Sequence, residues 1–232
     1  MRYLLGIVTL LCLGGCGSAP TPQPEAPPEP APAAVAAPAA PDLPADAPVL
    51  VAFGDSLTAG YGVPEGQSYP DFLQRELLDR GFEYRVVNEG VSGDTTAAAL
   101  QRIDFALSEE PEIVVLALGG NDGLRGLPAD AMEANLLEMV ERFQASGAEV
   151  VLAGMTLPPN FGSEYIRQFE SAFPNVAKQT GANLIPFLLD GVAADRELNQ
   201  DDGIHPTAAG NRVVAKTVAD FLEPMLSREP GS

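Results

Sequence analysis

The chain contains no tryptophan and a single histidine, and both of its cysteines, Cys12 and Cys16, fall within the first sixteen of its 232 residues. The rest of the sequence therefore offers none of the Cys/His sets from which zinc sites are built, and no thiol for a Cys–His nucleophile. Basic residues are scarce too. Thirteen Lys+Arg stand against 32 Asp+Glu, a formal net charge of −19. A surface of that sign repels phosphate backbones, which excludes nucleic-acid binding through a basic patch, and it works against long-range attraction of polyanionic substrates. Acid–base work by an imidazole near neutral pH falls to His205 or to nothing.

Apolar runs long enough to span a membrane are also lacking. The run from Tyr3 to Leu13, preceded by Arg2, is shorter than the roughly 20 residues a spanning helix needs. It reads as an export signal over residues 1–15. It ends in Leu13-Gly14-Gly15-Cys16, which resembles the lipobox of bacterial lipoproteins. That resemblance implies cleavage before Cys16 and a diacylglycerol on its thiol, so that the protein meets a membrane through Cys16. Cys12 would leave with the signal. An ordinary cleaved signal and an apolar cytoplasmic start are the alternatives. Gly17 follows the cysteine where inner-membrane lipoproteins carry Asp, so the lipoprotein resemblance implies the bacterial cell envelope, at the outer membrane facing the periplasm.

From Gly17 to Pro48, eleven of 32 residues are Pro and eleven are Ala, with no Lys or Arg. Such a segment cannot bury enough apolar surface to offset ordering entropy, and residues 16–48 read as a linker. It reaches about 100 Å at most if extended as polyproline II. Residues 49–232 remain, one domain of ordinary size with room for a core and no cysteine.

Short apolar runs at 49–53, 84–87, 113–118, 150–154 and 183–186 have the length of strands. Helical spacing falls between and after them, at 69–80, 95–107, 130–145, 164–179 and 207–226. A strictly alternating βα order with continuous apolar strands such as Ile113-Val114-Val115-Leu116-Ala117-Leu118 fits a parallel sheet covered on both faces, a three-layer α/β/α domain. Ligands in such sheets bind at the carboxyl ends of the strands.

The glycine-rich clusters lie at those ends. Gly54-Asp55-Ser56-Leu57-Thr58 follows the first strand, Asn88-Glu89-Gly90-Val91-Ser92-Gly93-Asp94 the second, and Gly119-Gly120-Asn121-Asp122 the third. Asp202-Gly203-Ile204-His205-Pro206 precedes the last helix, at the same edge. A serine at a strand end can present its hydroxyl at the mouth of the sheet, although Gly-Asp-Ser is also common in plain turns and Thr58 breaks the Gly-x-Ser-x-Gly elbow. An acidic residue three positions before His205 can reach one ring nitrogen and leave the other to take a proton from Ser56; Asp201 is the rival for that acid, and a surface turn is the other reading of His205. Gly93, Asn121 and the Ser56 N–H are candidate donors for an oxyanion, and Gly93 and Asn121 equally suit turns. Asp55 and Asp122 read as loop-holding residues. The loops 123–128 and 157–162 are candidates to line an acyl pocket or are simple connections. Asp195, Glu197, Asn199 and Asp201 approach calcium-loop spacing, but Gln200 stands where that loop needs Gly and no Glu closes it.

Taken in order, these four blocks resemble those of the SGNH (GDSL) hydrolases. The strings Gly120-Asn121-Asp122-Gly123-Leu124-Arg125-Gly126 and Asp201-Asp202-Gly203-Ile204-His205-Pro206 look closer still to the bacterial thioesterase I/lysophospholipase/arylesterase branch, over about residues 49–226. The resemblance implies a flavodoxin-like five-stranded parallel sheet in the order 2-1-3-4-5. It implies Ser56 as nucleophile, His205 as base and Asp202 as its orienting acid, with Ser56, Gly93 and Asn121 as oxyanion donors. It further implies hydrolysis of small-molecule carboxylic esters (aryl, short-to-medium acyl, lysophospholipid) or thioesters, with no metal or organic cofactor and no required protein partner. Relatives in this branch usually carry a plain cleaved signal, from which the lipobox departs. Two other readings remain at this stage: a flavodoxin-like module that binds a phosphate or nucleotide after the first strand, and an envelope lipoprotein without activity.

Overall fold

A computed structural model describes residues 43–226; the export signal at 1–15, Cys16, the linker to residue 42 and the last six residues lie outside the described residues. Five parallel strands, β1 (Val49–Gly54), β2 (Arg85–Gly90), β3 (Ile113–Ala117), β4 (Glu149–Ala153) and β5 (Asn183–Ile185), form one sheet in the order β2-β1-β3-β4-β5. The central strands β1 and β3 are buried along their whole length, as their unbroken apolar sequence requires. The edge strand β2 is half-buried.

Short helices α1 (Ser56–Ala59), α3 (Thr96–Leu100), α4 (Ile103–Leu107) and α5 (Gly120–Leu124) sit close to the strand ends, and the long helices α2 (Tyr69–Asp79), α6 (Ala129–Ala145), α7 (Ser163–Thr180) and α8 (Ala208–Leu222) cover the sheet. Helix α2 packs on α8, and α6 packs on α3 and α7, which gives one helical layer per face. The start of α2 is held by a capping box between Ser68 and Asp71 with Pro70 in the first turn. Thr207 caps α8 through Gly210 N–H.

Several boundaries depart from the sequence reading. The helix expected over 95–107 is two, broken at Gln101 and Arg102. Residues 88–90 extend β2, whereas the sequence placed them in a glycine-rich loop. The last helix ends at Leu222 and continues only as a 3₁₀ turn, Glu223–Met225, around Pro224. The folded part begins before residue 49: Ala47 is buried and Pro48 O accepts the Arg85 N–H at 2.9 Å.

Strand register decides what meets at the carboxyl edge. Gly54 stands opposite both Gly90 and Ala117, so the segments that follow β1, β2 and β3 leave the sheet at one level. The chain turns to opposite faces after β1 and β3, and between them lies the crevice that open α/β sheets use for ligands. Gly90 permits the close fit of α1 beside β2, since a Cβ there would stand 2.2 Å from Ala59 N.

Candidate active site

Ser56 opens α1 directly after β1. Asp55 caps that helix, its Oδ1 accepting the Leu57 N–H at 3.0 Å. As the first residue of the helix, Ser56 has an N–H without an intrahelical acceptor. Its Oγ lies 2.9 Å from His205 Nε2, and His205 Nδ1 lies 2.7 Å from Asp202 Oδ2. It is Asp202, and not Asp201, that meets the ring. The other Asp202 oxygen, Oδ1, accepts the backbone N–H groups of Ile204 and His205, each at 3.0 Å, which locks the three-residue spacing into a turn. Burial pushes the Asp202 carboxyl up, but the Ile204 N–H, the imidazole and the His205 N–H outweigh it and hold it below the ordinary Asp range. It is therefore a carboxylate at neutral pH and fixes the Nδ1–H tautomer.

The loop carrying this pair is braced at both ends. Asn199 and Pro206 form an antiparallel bridge, Gln200 N–H donates to His205 O at 2.8 Å, and Thr207 N–H donates to Leu198 O at 2.8 Å. Gln200 Nε2 then donates to Tyr61 O at 2.7 Å and to Pro206 O at 2.9 Å, tying the histidine loop to the segment after α1. The Tyr61 ring, itself 55% exposed, lies 4.6 Å from the imidazole centroid. Sequence reasoning missed Tyr61 and gave Gln200 no part in the site; a glutamine's partners across 139 positions leave no local pattern.

Asn121 stands in α5 after β3, and its Nδ2 donates to Asp94 O at 3.0 Å and to Asp55 Oδ2 at 3.2 Å. It thereby links the segments after β1, β2 and β3. Gly93 has φ +89, which glycine adopts without strain. Its carbonyl accepts from Arg125 Nη2 at 2.8 Å, and its N–H has no acceptor among the described residues. Asp122 is buried and takes the Thr96 N–H and hydroxyl at 2.8 and 2.7 Å, and Asn135 Nδ2 donates to that hydroxyl at 3.0 Å. Both aspartates read from sequence as loop-holding are so engaged.

Beside Ser56 and His205 opens a cavity of about 390 Å³, within the range of small-molecule sites. Leu124 comes to it from one of the two loops singled out in the sequence, and Leu157, Pro158 and Pro159 from the other. Met155, Phe187, Leu189, Ala193, Ala194 and Ile204 complete its apolar wall. Among the described residues no cluster of His, Cys, Asp or Glu has the geometry to hold a metal ion.

Asp55 is 2% exposed, and burial pushes its carboxyl up to about 6, against the lowering effect of the Leu57 N–H, the His205 imidazole and the Asn121 amide. The folded protein then keeps this proton where the unfolded chain, at 3.8, has released it. Asp55 protonation adds stability below pH 4 that is lost as pH rises through 6, on the order of 3 kcal/mol. In urea unfolding, the stability of the protein relative to Asp55→Ala is expected to fall between pH 4.5 and 7.5; a difference independent of pH contradicts this.

The sequence profile of the GDSL-like lipase/acylhydrolase family matches residues 52–213. Esterase TesA of Pseudomonas aeruginosa is 43% identical over 183 residues, covering 78% of this chain and 91% of the relative. An arylesterase of Vibrio mimicus is 38% identical over 174 residues, covering 75% and 87%. A crystal structure of TesA superposes with a TM-score of 0.74 at 42% identity, covering 77% of this chain and 99% of the other. With the family's profile spanning the sheet from β1 into α8, the chain belongs to the GDSL-like lipase/acylhydrolase family.

Proposed function

We propose that this protein is a serine hydrolase of carboxylic esters, with Ser56 as nucleophile, His205 as base and Asp202 as the acid that orients it. The observation that carries the reading is the relay Asp202–His205–Ser56, at 2.7 and 2.9 Å, beside an apolar cavity. The names of the two relatives, an esterase and an arylesterase, support the reaction class.

His205 Nε2 accepts the Ser56 hydroxyl proton as Oγ bonds to the ester carbonyl carbon. The carbonyl oxygen becomes an alkoxide facing the N–H groups of Ser56 and Gly93 and the Asn121 amide. Asn121 gives up its longer bond, to Asp55, to reach it. The intermediate collapses, the C–O bond to the alcohol breaks, and the alcohol leaves with the proton from Nε2. Water then repeats the sequence on the acyl-enzyme, releasing the acid and restoring Ser56. Asp202 and, through space, Asp55 stabilise the transient imidazolium.

The apolar cavity suits the acyl chain, and the net charge of −19 favours neutral or zwitterionic esters over polyanionic thioesters. We also assign the N-terminus to envelope tethering: lipidated at Cys16, with the Pro/Ala-rich linker holding the domain off the outer membrane on its periplasmic side. The supporting feature is the sequence Leu13-Gly14-Gly15-Cys16 followed by Gly17.

Ser56→Ala and His205→Ala are each expected to lower kcat on p-nitrophenyl esters by at least about 10³-fold, with no second imidazole to substitute. Near-native rates in either variant contradict the assignment. Acyl p-nitrophenyl esters should outperform acyl-CoA of the same chain length, with the gap narrowing as salt screens the charge; a gap unmoved by salt overturns the electrostatic reading. Cys16→Ser should shift the protein from the membrane to the soluble fraction of cells, and an unchanged distribution refutes the lipid anchor.

A further inference from the structure

We propose that Arg102 is the positioning residue of the oxyanion hole, acting through the segment 91–94; the inference rests on the hydrolase reading above. Arg102 sits in the break between α3 and α4, a break that a continuous helix would not contain. Its guanidinium, with a side chain 21% exposed, makes three separate ties. Nε donates to Asp94 Oδ2 at 2.7 Å, Nη1 to Glu89 O at 3.0 Å, and Nη2 to Gly54 O at 2.8 Å. The plane is backed by the Phe53 ring, with Cζ 4.2 Å from its centroid. Two of the three acceptors are backbone carbonyls at the carboxyl ends of β1 and β2, where a lone charge on a flexible stem could not serve both.

These ties converge on the candidate donors. Gly54 O, held by Arg102, also accepts the Val91 N–H at 3.0 Å, and Asp94 N–H closes back on Val91 O at 3.1 Å. Gly93 lies within that turn. Asp94 contributes its carboxylate to Arg102 and its backbone carbonyl to Asn121 Nδ2. Without the guanidinium, the Asp94 carboxylate loses its counter-charge, and the turn keeps only the Val91 N–H bond to Gly54 O as its tie to β1. Gly93 N–H and the Asn121 amide then lose their common reference to Ser56. Neither Arg102 nor the groups it binds at Gly54, Glu89 and Asp94 line the substrate cavity, so Arg102 acts on the alkoxide's surroundings more than on binding of the ester.

The test compares Arg102→Lys and Arg102→Ala with the intact protein and with Arg85→Ala, whose exposed pairing with Glu109 lies outside the site. Each variant is checked for its melting temperature. For Arg102→Ala, kcat is expected to fall by about 10²-fold with KM unchanged, the scale of a small misplacement of reacting groups. Lys retains the charge but can reach only one acceptor at a time, and it should restore less than half of that loss on a logarithmic scale. Binding of an acyl trifluoromethyl ketone, whose adduct with Ser56 places an oxyanion in the hole, should weaken in step with kcat/KM. The loss from Arg102→Lys should also shrink markedly in an Asn121→Ala background, since both act on one group of donors. Full activity in Arg102→Lys, a rise in KM in place of a fall in kcat, or additive losses with Asn121→Ala would each overturn the proposal. Loss of activity in Arg102 variants with ketone affinity intact would overturn it as well. Because every rate is referred to the Ser56-dependent activity of the intact protein, an inactive intact protein would instead refute the hydrolase reading itself.

Discussion

Ser56 Oγ and His205 Nε2 are 149 residues apart in the chain and 2.9 Å apart in space, and the chemistry proposed for this protein depends on that contact. Neither residue is held by the other. Ser56 is placed by the end of a fully buried strand and by the Asp55 cap. His205 is placed by a loop whose ends are bridged at Asn199 and Pro206 and whose far side is tied through Gln200 to Tyr61. Helix α8 follows immediately and packs on α2, so the core contact between those helices sets the height of the imidazole over the sheet. An error of about 1 Å in either support is enough to cost two orders of magnitude in rate, and this is why so many of the specific polar contacts crowd the carboxyl edge.

The same edge concentrates charge in a chain that is short of cations. Asp202, Asp55, Asp94 and Asp122 lie around it, and each has a specific set of donors. Asp202 is kept ionised by hydrogen bonds and faces the imidazole directly; Asp55 is raised by burial and acts on it through space. Both carboxylates favour the imidazolium that forms during reaction. Asp94 is balanced by Arg102, and Asp122 is satisfied by neutral donors from Thr96. The division of labour among four neighbouring aspartates thus follows from what each is hydrogen-bonded to and not from its sequence position.

Much of this was legible in the chain. Unbroken apolar strands such as 113–117 indicated a sheet covered on both faces, and the ordered glycine-rich blocks placed Ser56, Gly93, Asn121, Asp202 and His205 at one edge, where the structure brings them together. What escaped was whatever depends on contacts distant in sequence. Helical periodicity runs through 95–107 without a gap, yet the helix breaks at Arg102, whose side chain reaches the distant Gly54 and the nearby Asp94. Asn88 and Gly90 are turn-forming types, yet pairing with β1 draws residues 88–90 into β2, Asn88 Nδ2 donating to Thr58 O at 2.9 Å. Helices α1 and α5 are one turn each, too short for any periodic signal. Gln200 and Tyr61 had no chemistry to announce them and became visible only as neighbours of His205.

The most direct test of the account is to treat the protein with an alkyl fluorophosphonate and identify the modified residue by mass spectrometry of its peptides. One phosphonyl group on Ser56, formed rapidly in the intact protein, much more slowly in His205→Ala and not at all in Ser56→Ala, is the predicted result. Labelling at another residue, or labelling of Ser56 at the same rate without His205, would contradict it.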